Sequence, residues 1–129
     1  MEVHPSHLLY QDESYAVRGA LYEVYRVQGS GFVEPVYHEC LKIELDLRRI
    51  PFVSKPRTSI EYKDRRLNTE YIPDFICHDR ILIELKAVSQ LANEHRAQLH
   101  NYLRVTGLRL GFLANFGHHP GLELERIIR

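Results

Sequence analysis

Neither sign dominates the charge of this chain: 17 Lys and Arg balance 17 Asp and Glu over 129 residues. A bulk electrostatic grip on nucleic acid is therefore not expected, and only a local basic patch is left for such a role. Cysteine is scarce as well. Cys40 and Cys77 each fall inside an apolar pattern, which reads as two reduced, buried thiols of a cytoplasmic protein. No apolar stretch approaches the ~20 residues of a membrane span. Met1-Glu2-Val3-His4-Pro5 lacks the make-up of a secretory leader. Repeats, linkers and low-complexity blocks are missing. What remains is globular material, 44% hydrophobic and 26% charged, of a length that predicts one domain over 1–129 with a modest core.

The periodicity predicts a helix from about Asp12 to Gln28, with Val17, Leu21 and Val24 as its stripe, Ala20 and Val27 beside it, and Asp12 or Ser14 as its cap. Gln28-Gly29-Ser30-Gly31 ends it. A second helix is expected from about Val33 to Arg49, burying Val36, Cys40, Ile43 and Leu47, with Pro35 confined to its first turn. Thr58 to Tyr62 reads as a strand, Lys63-Asp64-Arg65 as a turn, and the chain returns through Leu67. A third helix, Leu91 to Thr106, carries Leu99 and Leu103. A buried strand follows from Leu108 to Asn115, and Glu125 to Arg129 is a candidate last strand. The order is α-α-β-β-β-α-β, an α/β sandwich with a mixed sheet flanked by helices. The step from the Glu84 strand through a helix to the Leu110 strand predicts a parallel crossover.

The sharpest feature is Ile81-Leu82-Ile83-Glu84-Leu85-Lys86. A run this apolar reads as a strand covered on both faces, and alternation puts Leu82, Glu84 and Lys86 on one face. A carboxylate in such a strand is costly unless it is paired or binds a metal. Tyr71 to Cys77 reads as a second strand, joined through His78-Asp79-Arg80. With those three residues as the loop, Cys77 faces Ile81 and Asp74 faces Glu84. Asp74, Glu84 and Lys86 then converge, and a divalent cation would relieve the repulsion of the two carboxylates.

Asp74 after Pro73, followed by Glu84-Leu85-Lys86, resembles the PD-(D/E)xK nuclease pattern. Gly31-Phe32-Val33-Glu34-Pro35-Val36-Tyr37 resembles the motif that names the GxxExxY protein family, which is placed in that superfamily. Gln98, Leu99 and Tyr102, then Thr106-Gly107-Leu108 with Gly111, then Asn115-Phe116, extend the likeness over about 16–116. Pro35 and the polar amino-terminal extension depart from the pattern without touching the proposed ligands. The resemblance implies a restriction-endonuclease-like core and a Mg²⁺- or Mn²⁺-dependent nuclease. In it Asp74, Glu84 and the Leu85 carbonyl are metal ligands, Glu34 completes the acidic cluster, and Gln98 points at the site. Lys86 orients or deprotonates the attacking water, or stabilises negative charge. Oxygen-only ligands suit Mg²⁺ or Mn²⁺, and no Cys/His cluster suggests zinc.

Each assignment has a plainer competitor. Glu84 and Lys86 can be a strand salt bridge, and Glu34 can simply favour a helix start. Tyr37 and His95 are expected beside the site rather than in it, and the tandem His118-His119 is expected in a loop. Arg57, Lys63, Arg65 and Arg66, with Lys55 nearby, form a basic stretch that suits phosphates or a solvated face. DNA is the expected substrate, with RNA as an alternative. The rival class is a non-catalytic module that keeps the fold while binding nucleic acid or a protein partner; a third reading is an oligomeric structural protein that uses its exposed sheet edge, and a homodimer or a protein partner is among the expected assemblies.

Overall fold

The structure is a computed structural model and describes residues 9–129. The segment read above as lacking a leader, and with it the polar extension, lies outside the described residues. Helices α1 (Gln11–Gln28) and α2 (Glu34–Leu47) come first. Strands β1 (Phe52–Ser54), β2 (Thr58–Tyr62), β3 (Arg65–Tyr71), β4 (Phe75–Cys77) and β5 (Ile81–Lys86) follow. Helix α3 (Asn93–Thr106), β6 (Leu110–Asn115) and β7 (Glu123–Ile128) complete the order.

Five strands form one mixed sheet in the order β1-β4-β5-β6-β7, and β2 with β3 forms a separate hairpin. Among the described strands only β5 and β6 pair in parallel, as the crossover through α3 predicts. The α1/α2 layer covers one face, where Val17, Leu21, Tyr37, Leu41 and Leu45 meet Phe75, Ile81, Ile83, Leu85 and Phe112. On the other face Leu99 and Leu103 of α3 and Tyr71 of the hairpin meet Leu82, Leu113 and Ile127. Both faces of β5 are thus covered, as a run apolar but for Glu84 and Lys86 requires. Cys77 is fully buried, and burial pushes its thiol up to about 12.

Several expectations change. Helix α1 begins at Gln11 after a left-handed Tyr10, so Asp12 lies within its first turn and Ser14 is buried; neither caps it. In α2 the buried face is Tyr37, His38, Leu41 and Leu45, whereas Ile43 and Leu47 are 61% and 73% exposed. Two apolar stripes run along this helix. The one that docks carries Tyr37, whose hydroxyl donates to the Gly29 carbonyl at 2.7 Å and accepts from the Phe32 N–H at 3.1 Å, closing the loop into the helix. Pro35 sits within the first two positions of α2, as its missing N–H demands.

The expected strand from Tyr71 to Cys77 is broken in two. The pairing of β3 ends at Tyr71 and that of β4 starts at Phe75, because Pro73 between them has no N–H to give a ladder. The short strand β1 is an addition to the expected order; Pro51 precedes its three residues, and it pairs with β4. Arg65 belongs to β3, and Lys63 and Asp64 alone form the turn, both at positive φ. Helix α3 starts two residues later than expected, at Asn93.

Candidate active site

The site is built where β5 ends and β4 begins. The β4–β5 ladder pairs Cys77 with Ile81 and Phe75 with Ile83, so one further step sets Asp74 across from Glu84, as the three-residue turn requires. Asp74 itself lies just outside β4. Its backbone N–H donates to Glu84 Oε1 at 3.1 Å, and its Oδ2 accepts the Leu85 N–H at 2.9 Å. Glu84 is therefore held by the Asp74 backbone, and Asp74 by the backbone of Leu85, the residue after Glu84. The N–H and C=O of a strand residue leave the strand on the same side. The Leu85 carbonyl thus points with its N–H towards Asp74, while the Lys86 carbonyl takes the Phe116 N–H at 2.8 Å on the side of β6.

Glu84 is only 8% exposed. Burial, and then the charge of Asp74, push its carboxyl up to about 7; the Tyr71 hydroxyl, the Asp74 N–H and Lys86 oppose the shift. The Tyr71 hydroxyl donates to Glu84 Oε1, and burial followed by the Glu84 charge holds that phenol in its protonated form. Among the described residues Lys86 forms no ion pair, so the strand salt bridge between Glu84 and Lys86 is not formed.

Helix α2 delivers Glu34 to the same place. A small cleft is lined by Glu34, Pro35, His38, Lys55 and Asp74. The carboxyl of Glu34 is raised by burial and by the charge of Asp74, and lowered by Lys86. His38, one turn further along the same face, is a site residue that the sequence reading passes over. It is 7% exposed and has its Nδ1 3.0 Å from Asp74 Oδ1 and its Nε2 2.8 Å from Ser54 Oγ. The one signal for it is its spacing of four from Glu34.

The remaining candidates divide. The hydroxyl of Tyr37 serves the loop before Glu34, and its ring stacks on Phe116 at 4.5 Å. His95 Nδ1 accepts the Ala92 N–H at 3.0 Å, a task at the start of α3. Gln98 is exposed and interacts with Tyr102, whose ring stacks on Tyr71. Arg57 pairs with Glu70, whereas Lys63, Arg65 and Arg66 stand exposed at the tip of the hairpin. His118 and His119 lie in a loop, as expected. Asn115, which the sequence offers only as part of a motif, is fully buried. Its Oδ1 accepts the Val88 and Gly117 N–H groups at 3.0 Å and its amide donates to Glu123, which fixes the chain leaving β5 after Lys86. Gly117 is required there, because a Cβ would stand 2.3 Å from the Val88 carbonyl oxygen.

Buried Glu84 beside half-buried Asp74, with Lys86 on the same strand as Glu84 and Glu34 on a helix nearby, lies on a mixed sheet between helical layers. The PD-(D/E)XK nuclease superfamily matches residues 11–127. The chain belongs to that superfamily. Among solved structures, this PD-(D/E)XK chain resembles the crystal structure of SSO0001, with a TM-score of 0.61 and 19% identity over 74% of this chain and 49% of the other. That likeness concerns the fold, and the chain spans about half the length of that protein. No curated protein matches it.

PD-(D/E)XK nucleases generally use divalent metals, and the donor types here fit one. All are oxygens, and a cation would relieve the Asp74 charge that, after burial, raises Glu84. Among the described residues no three His, Cys, Asp or Glu side chains are drawn together closely enough to hold an ion. Glu34 therefore stands off from the Asp74–Glu84 pair rather than closing a three-carboxylate cage. No described helix is long and apolar enough to cross a membrane.

Proposed function

We propose that this PD-(D/E)XK domain is a metal-dependent nuclease that hydrolyses phosphodiester bonds of nucleic acid, with DNA as its substrate. The observation that carries the reading is Glu84, a buried carboxyl pushed up to about 7 beside Asp74, with Lys86 on its strand face and free of any ion pair among the described residues. A fold spends stability on such an arrangement where chemistry needs it. Asp74, Glu84 and the Leu85 carbonyl would hold Mg²⁺ or Mn²⁺, with Glu34 joining through water. Such an ion, when bound, supplies charge relief on phosphoryl oxygens and a more acidic water. The chain's own part is to fix the acids, to present the Lys86 ammonium to the attacking water or to developing charge, and to hold the strand end rigid through Asn115. Nothing supports an assignment of Gln98 or His95 to the chemistry itself.

A second reading is favoured by one observation: both oxygens of Asp74 already accept hydrogen bonds, from His38 and from the Leu85 N–H. A domain content with those partners would be a binding module that keeps the fold. Cleavage of single- and double-stranded DNA and RNA with Mg²⁺ or Mn²⁺, comparing wild type with Glu84→Gln, decides between them. Metal-dependent cleavage lost in the variant supports the nuclease. No cleavage by wild type across the panel would leave the module.

A further inference from the structure

We infer that His38 is a positioning residue for Asp74, the middle member of a relay Ser54–His38–Asp74 that aims the carboxylate at the site. The inference rests on the reading of Asp74 as a cation ligand.

An ionised carboxylate only accepts hydrogen bonds. The 3.0 Å contact between His38 Nδ1 and Asp74 Oδ1 therefore needs the imidazole proton on Nδ1. A neutral ring then has a bare Nε2, and the Ser54 hydroxyl stands 2.8 Å away to donate to it. Of the two neutral tautomers only this one lets Nδ1 donate to Asp74, and both ring nitrogens are used. The ring is also held in place. It is buried, and it stacks on Phe75 with 4.3 Å between centroids and 17° between planes. Phe75 is both the chain neighbour of Asp74 and the ladder partner of Ser54. The two groups that His38 bridges are thus fixed on either side of the ring that carries it. The Lys55 N–H, just past the end of β1, donates to the Asp74 carbonyl at 2.9 Å and closes the same frame.

Asp74 is consequently gripped at both oxygens, Oδ1 by the helical layer and Oδ2 by the Leu85 N–H of the sheet. A carboxylate has about four lone-pair sites, so two remain for a cation. Partners of this kind orient a ligand and raise its affinity for metal. Glu34 and His38 lie one turn apart on α2. The same helix face therefore brings one acid to the site and orients another.

The test is Mn²⁺ titration by calorimetry of wild type, His38→Phe, His38→Asn and Ser54→Ala, together with ¹⁵N shifts of the His38 ring. Phenylalanine keeps a ring on Phe75 and loses both hydrogen bonds; asparagine places an amide where Nδ1 lies. His38→Phe should weaken Mn²⁺ binding about tenfold or more, the usual effect of losing such a partner, and His38→Asn should recover most of it. Ser54→Ala leaves the packing intact, so it keeps the question answerable if His38→Phe does not fold. It should weaken binding by a smaller factor and reduce the Nδ1–H tautomer preference. Wild-type affinity in both His38→Phe and Ser54→Ala would overturn the relay alone. A wild-type ring protonated on Nε2 and not on Nδ1 would overturn it whether or not metal binds. No Mn²⁺ binding by wild type would instead remove the metal reading on which it rests.

Discussion

The hydroxyl of Tyr71 donates to Glu84 Oε1 at 2.9 Å, from a ring that lies on Tyr102 with 3.5 Å between centroids. That bond favours the ionised form of Glu84, against burial and Asp74, which disfavour it. Tyr71→Phe keeps the stack and removes the donor. The carboxyl of Glu84 should then titrate above its present value of about 7, as read by carbon-detected NMR of the side chain. An unchanged or lower midpoint would show that the hydroxyl does not stabilise the charge.

Glu84 also predicts how the metal-free fold responds to pH. Its folded value, about 7, lies above the ordinary 4.5, so the native state holds this proton more tightly than the unfolded chain. The contribution is fully present below about pH 4.5 and is lost as pH rises through about 7. The loss is on the order of 3 kcal/mol at most. Glu84→Gln mimics the protonated form and should be the more stable protein at pH 8, with the difference shrinking towards pH 5. Urea unfolding in a chelator at the two pH values measures this. A wild type more stable at pH 8 than the variant would reverse the sign.

Lys86→Ala and Asp74→Asn should fail differently. Loss of the ammonium should reduce cleavage by about a hundredfold or more while Mn²⁺ affinity stays close to wild type. Loss of one anionic oxygen should weaken metal binding and cleavage together. Asparagine can still accept the Leu85 N–H, so both variants should unfold cooperatively. Equal cleavage by all three proteins would place the activity elsewhere.

The basic stretch is unequal along its length. Arg57 is held by Glu70 in an exposed pair, while Lys63, Arg65 and Arg66 face solvent at the hairpin tip. Reversing the last three should lower affinity for a short DNA duplex and flatten its salt dependence, by about one unit of slope for each phosphate no longer neutralised. Arg57→Glu should matter least. Fluorescence anisotropy at several salt concentrations separates the two, and an unchanged slope in the triple variant would move the binding surface off the hairpin.

The strand pair was legible as two apolar runs around a short turn, but the turn length alone left the register open. A turn one residue shorter would put Asp74 on the opposite face, so it was the convergence of Asp74, Glu84 and Lys86 that selected the three-residue turn. Glu34 needed the motif; α2 carries it to the cleft beside Asp74 without closing a three-carboxylate cage among the described residues. The buried face of α2 was not legible, since two stripes with similar spacing run along it. What selects between them is the clasp of Tyr37 on Gly29 and Phe32, which ties loop to helix. The break at Pro73 was visible in principle, because a residue without an N–H weakens a strand assignment. His38 is a different kind of miss. Its partners, Ser54 and Asp74, are 16 and 36 residues away in sequence, and no local pattern announces a contact of that range.

The Leu85 N–H has no backbone partner on the β4 side, because β4 begins at Phe75 and the Asp74 carboxylate takes the place of the missing strand. One side chain thus finishes the sheet. A strand from another molecule could extend the ladder along the end of β5 only by evicting this acid. Asp74→Ala would expose an unclaimed rung beside a dry face, and the expected penalty is self-association as well as silence.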